Sequence, residues 1–184
     1  MNVIIAFGFP VAVLLGGGWV LDRLSGRASV IKQLTSAGRT IPQPLNMQWL
    51  GYGLESAWGY WFALQDEGRR AERKFLRLDL LFPFFYGGSL AASLWWVWLT
   101  LKKPFPLTWI VAPLAIALIA DCAENLIQLN QLTRYRDVPR GNGNLQRPWI
   151  RAASCATVIK LWFMGGLYMG LGGLVWKILT EGAP

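Results

Sequence analysis

Four apolar stretches, residues 3–21, 79–101, 107–129 and 152–179, limit what this chain can fold into more than any other feature. Roughly 20 helical residues at about 1.5 Å each cover a hydrocarbon core about 30 Å thick, so each stretch is long enough to cross a bilayer. Inside lipid the backbone has no water to bond, and a helix satisfies its amides within the segment. The length of 184 residues alone would suggest a single soluble domain, but 54% hydrophobic residues and a mean hydropathy of +0.34 point to a membrane protein. The predicted fold is therefore all-α: one membrane domain forming a four-helix bundle. The first stretch occupies the position of a secretory signal, but no Lys or Arg precedes it and no convincing A-x-A site follows it, so a span is expected there.

Charge sets the predicted orientation. Nine basic residues, from Arg23 to Arg77, separate the first two stretches. Arg134, Arg136, Arg140, Arg147 and Arg151 separate the last two, and only Lys102 and Lys103 stand between the second and third. The positive-inside rule then places the first and third loops in the cytoplasm and both termini outside. Topology accounts for much of the net charge of +8. The basic residues alternate with acids or sit at span ends without a nucleic-acid motif, so nucleic acid is not an expected partner. Trp95, Trp96, Trp98, Trp109 and Trp176 gather near the predicted outer boundary, as an interfacial belt does.

The long first loop, residues 22–78, changes character along its length. Residues 22–46 are rich in Gly, Ser, Thr and Pro and predict irregular backbone. From about 47 to 66, Trp49, Leu50, Leu54, Ala57, Trp58, Trp61, Phe62 and Leu64 recur at helical spacing, which predicts a cytoplasmic amphipathic helix at the membrane interface. Arg69, Arg70, Arg73, Lys74 and Arg77 then approach the second span. Each contributes about 1 kcal/mol of attraction near an anionic leaflet, so the run suits lipid headgroups, although a topology signal alone also explains it. Residues 139–144, Pro-Arg-Gly-Asn-Gly-Asn, read as a mobile turn.

Asp121, Glu124, Asn125 and Gln128 fall at i, i+3, i+4 and i+7, and so share one face of the third span. An Asp near the middle of a span costs on the order of 3 kcal/mol on insertion scales, so these groups need partners. Lys160 on the fourth span lies at a matching predicted depth, with Ser154 and Thr157 on neighbouring turns. The second span contributes Asp79 and Tyr86. Pro83 cannot donate to the Asp79 carbonyl, which predicts a kink or a free acceptor there, while the Asp79 side chain is placed either in the cavity or as a helix cap. The cluster is either a polar core that sets helix register or a site for a proton, ion or polar headgroup. Gly166 and Gly170 form a G-x-x-x-G step for which Gly16 to Gly18 offers a matching surface.

The inventory narrows the chemistry. Without His there is no Ser-His-Asp or Cys-His catalysis and no His-bound zinc or haem. Cys122 and Cys155 are single residues on different spans and are expected to be buried packing thiols. No P-loop or dinucleotide fingerprint occurs. An aspartyl pair of Asp79 and Asp121, a Ser–Lys dyad of Lys160 with Ser89, Ser93 or Ser154, and an oxygen-ligand cation site of Asp79, Asp121, Glu124 and Asn125 remain as alternatives. No catalytic residue, resident metal or cofactor is assigned by these patterns.

Arg77-Leu78-Asp79-Leu80-Leu81-Phe82-Pro83-Phe84-Phe85-Tyr86-Gly87, followed by Asp121-Cys122-Ala123-Glu124-Asn125, resembles small bacterial membrane proteins of uncharacterised function. In those proteins L-D-x-x-F-P-x-x-Y and D-x-x-E-N segments lie on consecutive spans. The resemblance covers about residues 54–130. It implies a four-span architecture, draws attention to Asp79, Pro83, Tyr86, Asp121, Glu124 and Asn125, and carries no activity; the expected location is the bacterial inner (cytoplasmic) membrane. The expected function is to bind or stabilise a membrane lipid, another membrane protein or a second copy through the inner polar cluster. The alternative is a small oligomeric proton- or ion-coupled transporter, or a lipid-modifying enzyme, that uses the intramembrane carboxylates.

Overall fold

A computed structural model describes residues 3–136 and 144–182, and every regular element among them is helical. The order is α1 (Val3–Ser25), α2 (Arg27–Ser36), a 3₁₀ turn at Leu45–Met47, α3 (Leu54–Asp79), α4 (Phe82–Thr100), α5 (Thr108–Arg134) and α6 (Arg147–Glu181). Among the described residues, four helical stretches are long and apolar enough to cross a membrane: α1, α3 running into α4, α5, and α6. The expected turn at residues 139–143 lies outside the described residues.

Two apolar cores stand at opposite ends of the longest helices. One joins Leu90, Leu94 and Val97 of α4 to Ile110 and Leu114 of α5 and to Leu171 and Val175 of α6. The other packs Tyr60, Trp61, Leu64 and Leu76 of α3 against Leu132 and Ile150. Helices α5 and α6 run antiparallel and form the most extensive pair, while α1 lies chiefly on α4. The polar stripe of α5 falls between the two cores, where neighbouring segments of the chain must satisfy it.

The amphipathic helix starts later than the expected 47–66, while its first segment ends at the break at Gln65, close to the expected end. Backbone breaks at Gly51 and Gly53 delay its start to Leu54, and its buried positions Tyr60, Trp61, Leu64, Gly68, Phe75 and Leu76 carry the helical period on to Asp79. The helical path breaks at Gln65 (φ 56°, ψ −173°), and the basic run lies on the second helical segment of α3, beyond that break. Gly51 has φ +81°, and a Cβ there would collide with the Ser154 hydroxyl. Its bare backbone lets the adjacent Tyr52 amide donate to Ser154 Oγ at 2.7 Å.

Asp79 ends α3 instead of opening or capping α4. Pro83 stands in the first turn of α4, where its missing N–H sacrifices no intrahelical bond. The chain turns at Leu80–Leu81, and the Asp79 carbonyl faces the Asn125 amide nitrogen at 3.4 Å. The glycine surfaces also pair differently from expectation. Gly17 packs on the Phe82 ring of α4, whereas Gly166 and Gly170 face open space. Cys155 is exposed and Cys122 partly so, because both lie on the outward sides of their helices. Trp98 is buried, its indole N–H donating to the Phe105 carbonyl at 2.8 Å, while Trp95, Trp109 and Trp176 are exposed.

Candidate functional site

Four helices, α3 to α6, bring the predicted polar residues together. Asp121 accepts a hydrogen bond from Tyr86 Oη of α4 at 2.5 Å and from Lys160 Nζ of α6 at 3.0 Å. The same ammonium lies 2.5 Å from Glu124 Oε2, so it bridges carboxylates one helical turn apart. Gln128 uses its two amide hydrogens on Glu124 Oε1 and Tyr52 Oη, each at 2.9 Å. Asn125 directs its amide nitrogen to the Asp79 carbonyl and to Asp121 Oδ1, both at 3.4 Å. The result is a continuous chain of hydrogen bonds and one ion-pair link, Lys160 to Glu124, running from Tyr86 through Asp121, Lys160, Glu124 and Gln128 to Tyr52, every member of it buried.

Tyr52 is the member that sequence reasoning missed. It stands in the segment before α3, and its position reflects docking of that segment against Ser154 of α6. Burial, reinforced by the negative charge of Glu124, holds its hydroxyl far above the ordinary tyrosine range. It therefore remains a neutral phenol that accepts from Gln128.

Beside the cluster is a cavity of about 540 Å³ between α1, α4, α6 and the 3₁₀ turn. Asp79, Tyr86, Asp121 and Lys160 form one polar part of its wall, and Asp22 and Arg27 another. The remaining surface is largely apolar, with Leu14, Leu15, Phe82, Leu161 and Met164 among its residues. Tyr168 ties α6 to α1 by donating to the Pro10 carbonyl at 3.0 Å, whereas Gly18 and Gly165 line the cavity without side chains. Exposed Leu15, Trp19 and Trp49 mark its rim.

A second buried network adjoins the cavity. Arg27, at the start of α2, places Nε 2.6 Å from Asp22 Oδ1 and a terminal nitrogen 3.5 Å from Glu72 Oε2. Tyr60 donates to the same Glu72 oxygen at 3.0 Å, and the guanidinium carbon lies 3.4 Å from the Phe75 ring centroid. Burial works against the Arg27 charge, but Glu72, Tyr60 and Asp22 outweigh it and hold the guanidinium above its usual value. Glu72 was detectable in principle, since it falls on the apolar stripe of α3 between Leu64 and Phe75. No local pattern distinguished Arg27 from its basic neighbours.

The predicted headgroup residues divide. Arg70, Lys74 and Arg77 are exposed and Arg73 is half-buried. Arg69 is buried, with its guanidinium donating to the Trp61 carbonyl at 3.0 Å and to Asp66 at 2.8 Å, because the kink at Gln65 brings that carbonyl into reach. It is therefore a structural residue. A Ser–Lys dyad does not form: Lys160 is committed to Asp121 and Glu124, and Ser154 accepts from Tyr52. The ammonium also fills the space between those carboxylates that a cation would need. Among the described residues no group of three or more acidic or Cys side chains is arranged to hold a metal ion.

No protein-family model, curated protein or solved structure matches this chain.

Proposed function

We propose that the chain is an integral membrane protein of the bacterial inner membrane whose α1, α4, α5 and α6 form a four-helix bundle that binds a membrane lipid beside its inner polar cluster. In this arrangement both termini are outside, and α2 with the early part of α3 packs at the cytoplasmic side. The observation that carries the proposal is the cavity of about 540 Å³, which joins an apolar wall to charged groups and has an apolar rim. That combination suits an amphiphile: the acyl chain lies on Leu14, Leu15, Leu161 and Met164, and the head meets the polar wall. The exposed Arg70, Lys74 and Arg77 supply a separate, non-specific attraction to anionic headgroups.

Gly18 provides the test, because it lines the cavity and a Cβ added there meets no other part of the protein within 4 Å. The wild-type protein purified in mild detergent is expected to retain a stoichiometric phospholipid by native mass spectrometry. Gly18→Leu is expected to lose it while keeping the wild-type helical content and gel-filtration profile, with a melting temperature lowered only by the loss of the bound lipid. Equal retention by both proteins would place the lipid elsewhere and sink the proposal.

The second reading is a small oligomeric proton- or ion-coupled transporter, or a lipid-modifying enzyme that uses the same carboxylates. What favours it is the unbroken chain from the cavity-lining Tyr86 to Tyr52. Four spans are few for a transporter monomer, so this reading requires an oligomer. It predicts a pH-driven flux in proteoliposomes that a folded D121N/E124Q variant lacks. No flux from the wild-type protein would remove its transporter form.

A further inference from the structure

We propose that the ligand of this cavity is a lipid whose head carries a primary ammonium, with that ammonium seated on Asp79 and an acyl chain lying along α1 and α6. This rests on the lipid-binding reading above. The argument comes from pairing the charges around the cavity one by one. Lys160 is shared by Asp121 and Glu124, and Arg27 is shared by Asp22 and Glu72. Each cation on the cavity wall therefore already has two carboxylates. The Asp79 side chain also lines the cavity, is 6% exposed, and among the described residues has no basic group within ion-pair distance. Its neighbouring donor, the Asn125 amide, is shared with the Asp79 carbonyl and Asp121.

An anionic head would find the charge of each cation already balanced by two carboxylates and would bring a second negative charge against Asp79. A primary ammonium supplies what this wall lacks: a positive charge with N–H donors for a carboxylate that has removed itself from water. A quaternary ammonium carries the charge without the donors. The apolar wall and rim add the requirement for a tail, which a small soluble amine does not meet.

The test uses the full-length protein, delipidated in detergent and offered phosphatidylethanolamine, phosphatidylglycerol or phosphatidylcholine with identical acyl chains. Phosphatidylethanolamine is expected to bind about tenfold or more tightly than either of the others, the ratio that one charge-assisted hydrogen bond provides. Asp79→Asn is expected to abolish that preference and Asp79→Glu to retain it. If Asp79→Asn does not fold, the wild-type headgroup series still decides the matter. Equal binding of all three lipids, or preference for phosphatidylglycerol, overturns the headgroup inference; continued loss of lipid in Gly18→Leu would then leave the lipid-binding proposal standing. Failure of the wild type to bind any lipid, or binding that ignores Gly18→Leu, overturns both. Excess free ethanolamine is expected not to displace the lipid, and displacement would overturn the role given to the tail.

Discussion

Lys160→Met is expected to destabilise the protein by about 3–5 kcal/mol, the usual consequence of removing one partner from a buried ion pair. Lys160 Nζ lies 3.0 Å from Asp121 and 2.5 Å from Glu124, and Glu124 is wholly buried. Methionine retains much of the apolar stem but leaves two carboxylates facing each other across one helical turn with no cation. In the wild type the ammonium carries both the electrostatics and the geometry, since it joins α6 to the polar face of α5. The triple variant D121N/E124Q/K160M removes the charges together and is expected to recover most of the lost stability, because replacing all members of a buried pair is far cheaper than orphaning one. Denaturant titration and thermal melting in mild detergent measure both effects. An unchanged transition for Lys160→Met would mean that the carboxylates do not depend on this ammonium. A triple variant no better than the single would mean that packing, rather than charge, governs the site.

Arg27→Met is expected to have a comparable effect, about 3–5 kcal/mol, through a different part of the molecule. Its guanidinium is buried among Asp22, Glu72 and the Phe75 ring, so truncation strands Glu72, which keeps only the hydrogen bond from Tyr60. Helix α2 has 10 residues, too few to be stable in water without tertiary support. Arg27 anchors the start of that helix to α3, and hydrogen exchange should therefore show loss of protection concentrated in α2 before the longer helices are affected. Adding Glu72→Gln to Arg27→Met is expected to restore part of the stability without restoring the anchor. Wild-type protection of α2 in the single variant would contradict this account.

The two networks differ in how legible they were. Asp121, Glu124, Asn125 and Gln128 announced themselves because four polar residues at helical spacing interrupt an apolar run, and Lys160 did so at a matching depth. Their hydrogen bonds and ion pairs follow from a strong constraint: the groups are polar, the surroundings are not, and the adjacent helix offers the complementary charge. Tyr86 was within reach for the same reason. Burial of Arg69 was not legible, because a sequence pattern shows that a residue is basic but not that a backbone break four residues earlier turns it inward. The start of α3 moved for a comparable reason, since the apolar period was correctly placed while the backbone cost of Gly51 and Gly53 decided where the helix begins.

Hydropathy, periodicity and charge count are properties of residues and their near neighbours, and they were sufficient to establish an all-helical chain with four long apolar helices and one polar stripe. The cavity, the bonds made by Tyr52, the joining of Arg27 to Glu72 and, among the described residues, the absence of a basic partner at Asp79 arise only from packing. A void is defined by side chains that fail to meet, and a pair by groups from distant segments that do. Neither leaves a periodic mark on the sequence, because both depend on where whole helices come to rest against one another.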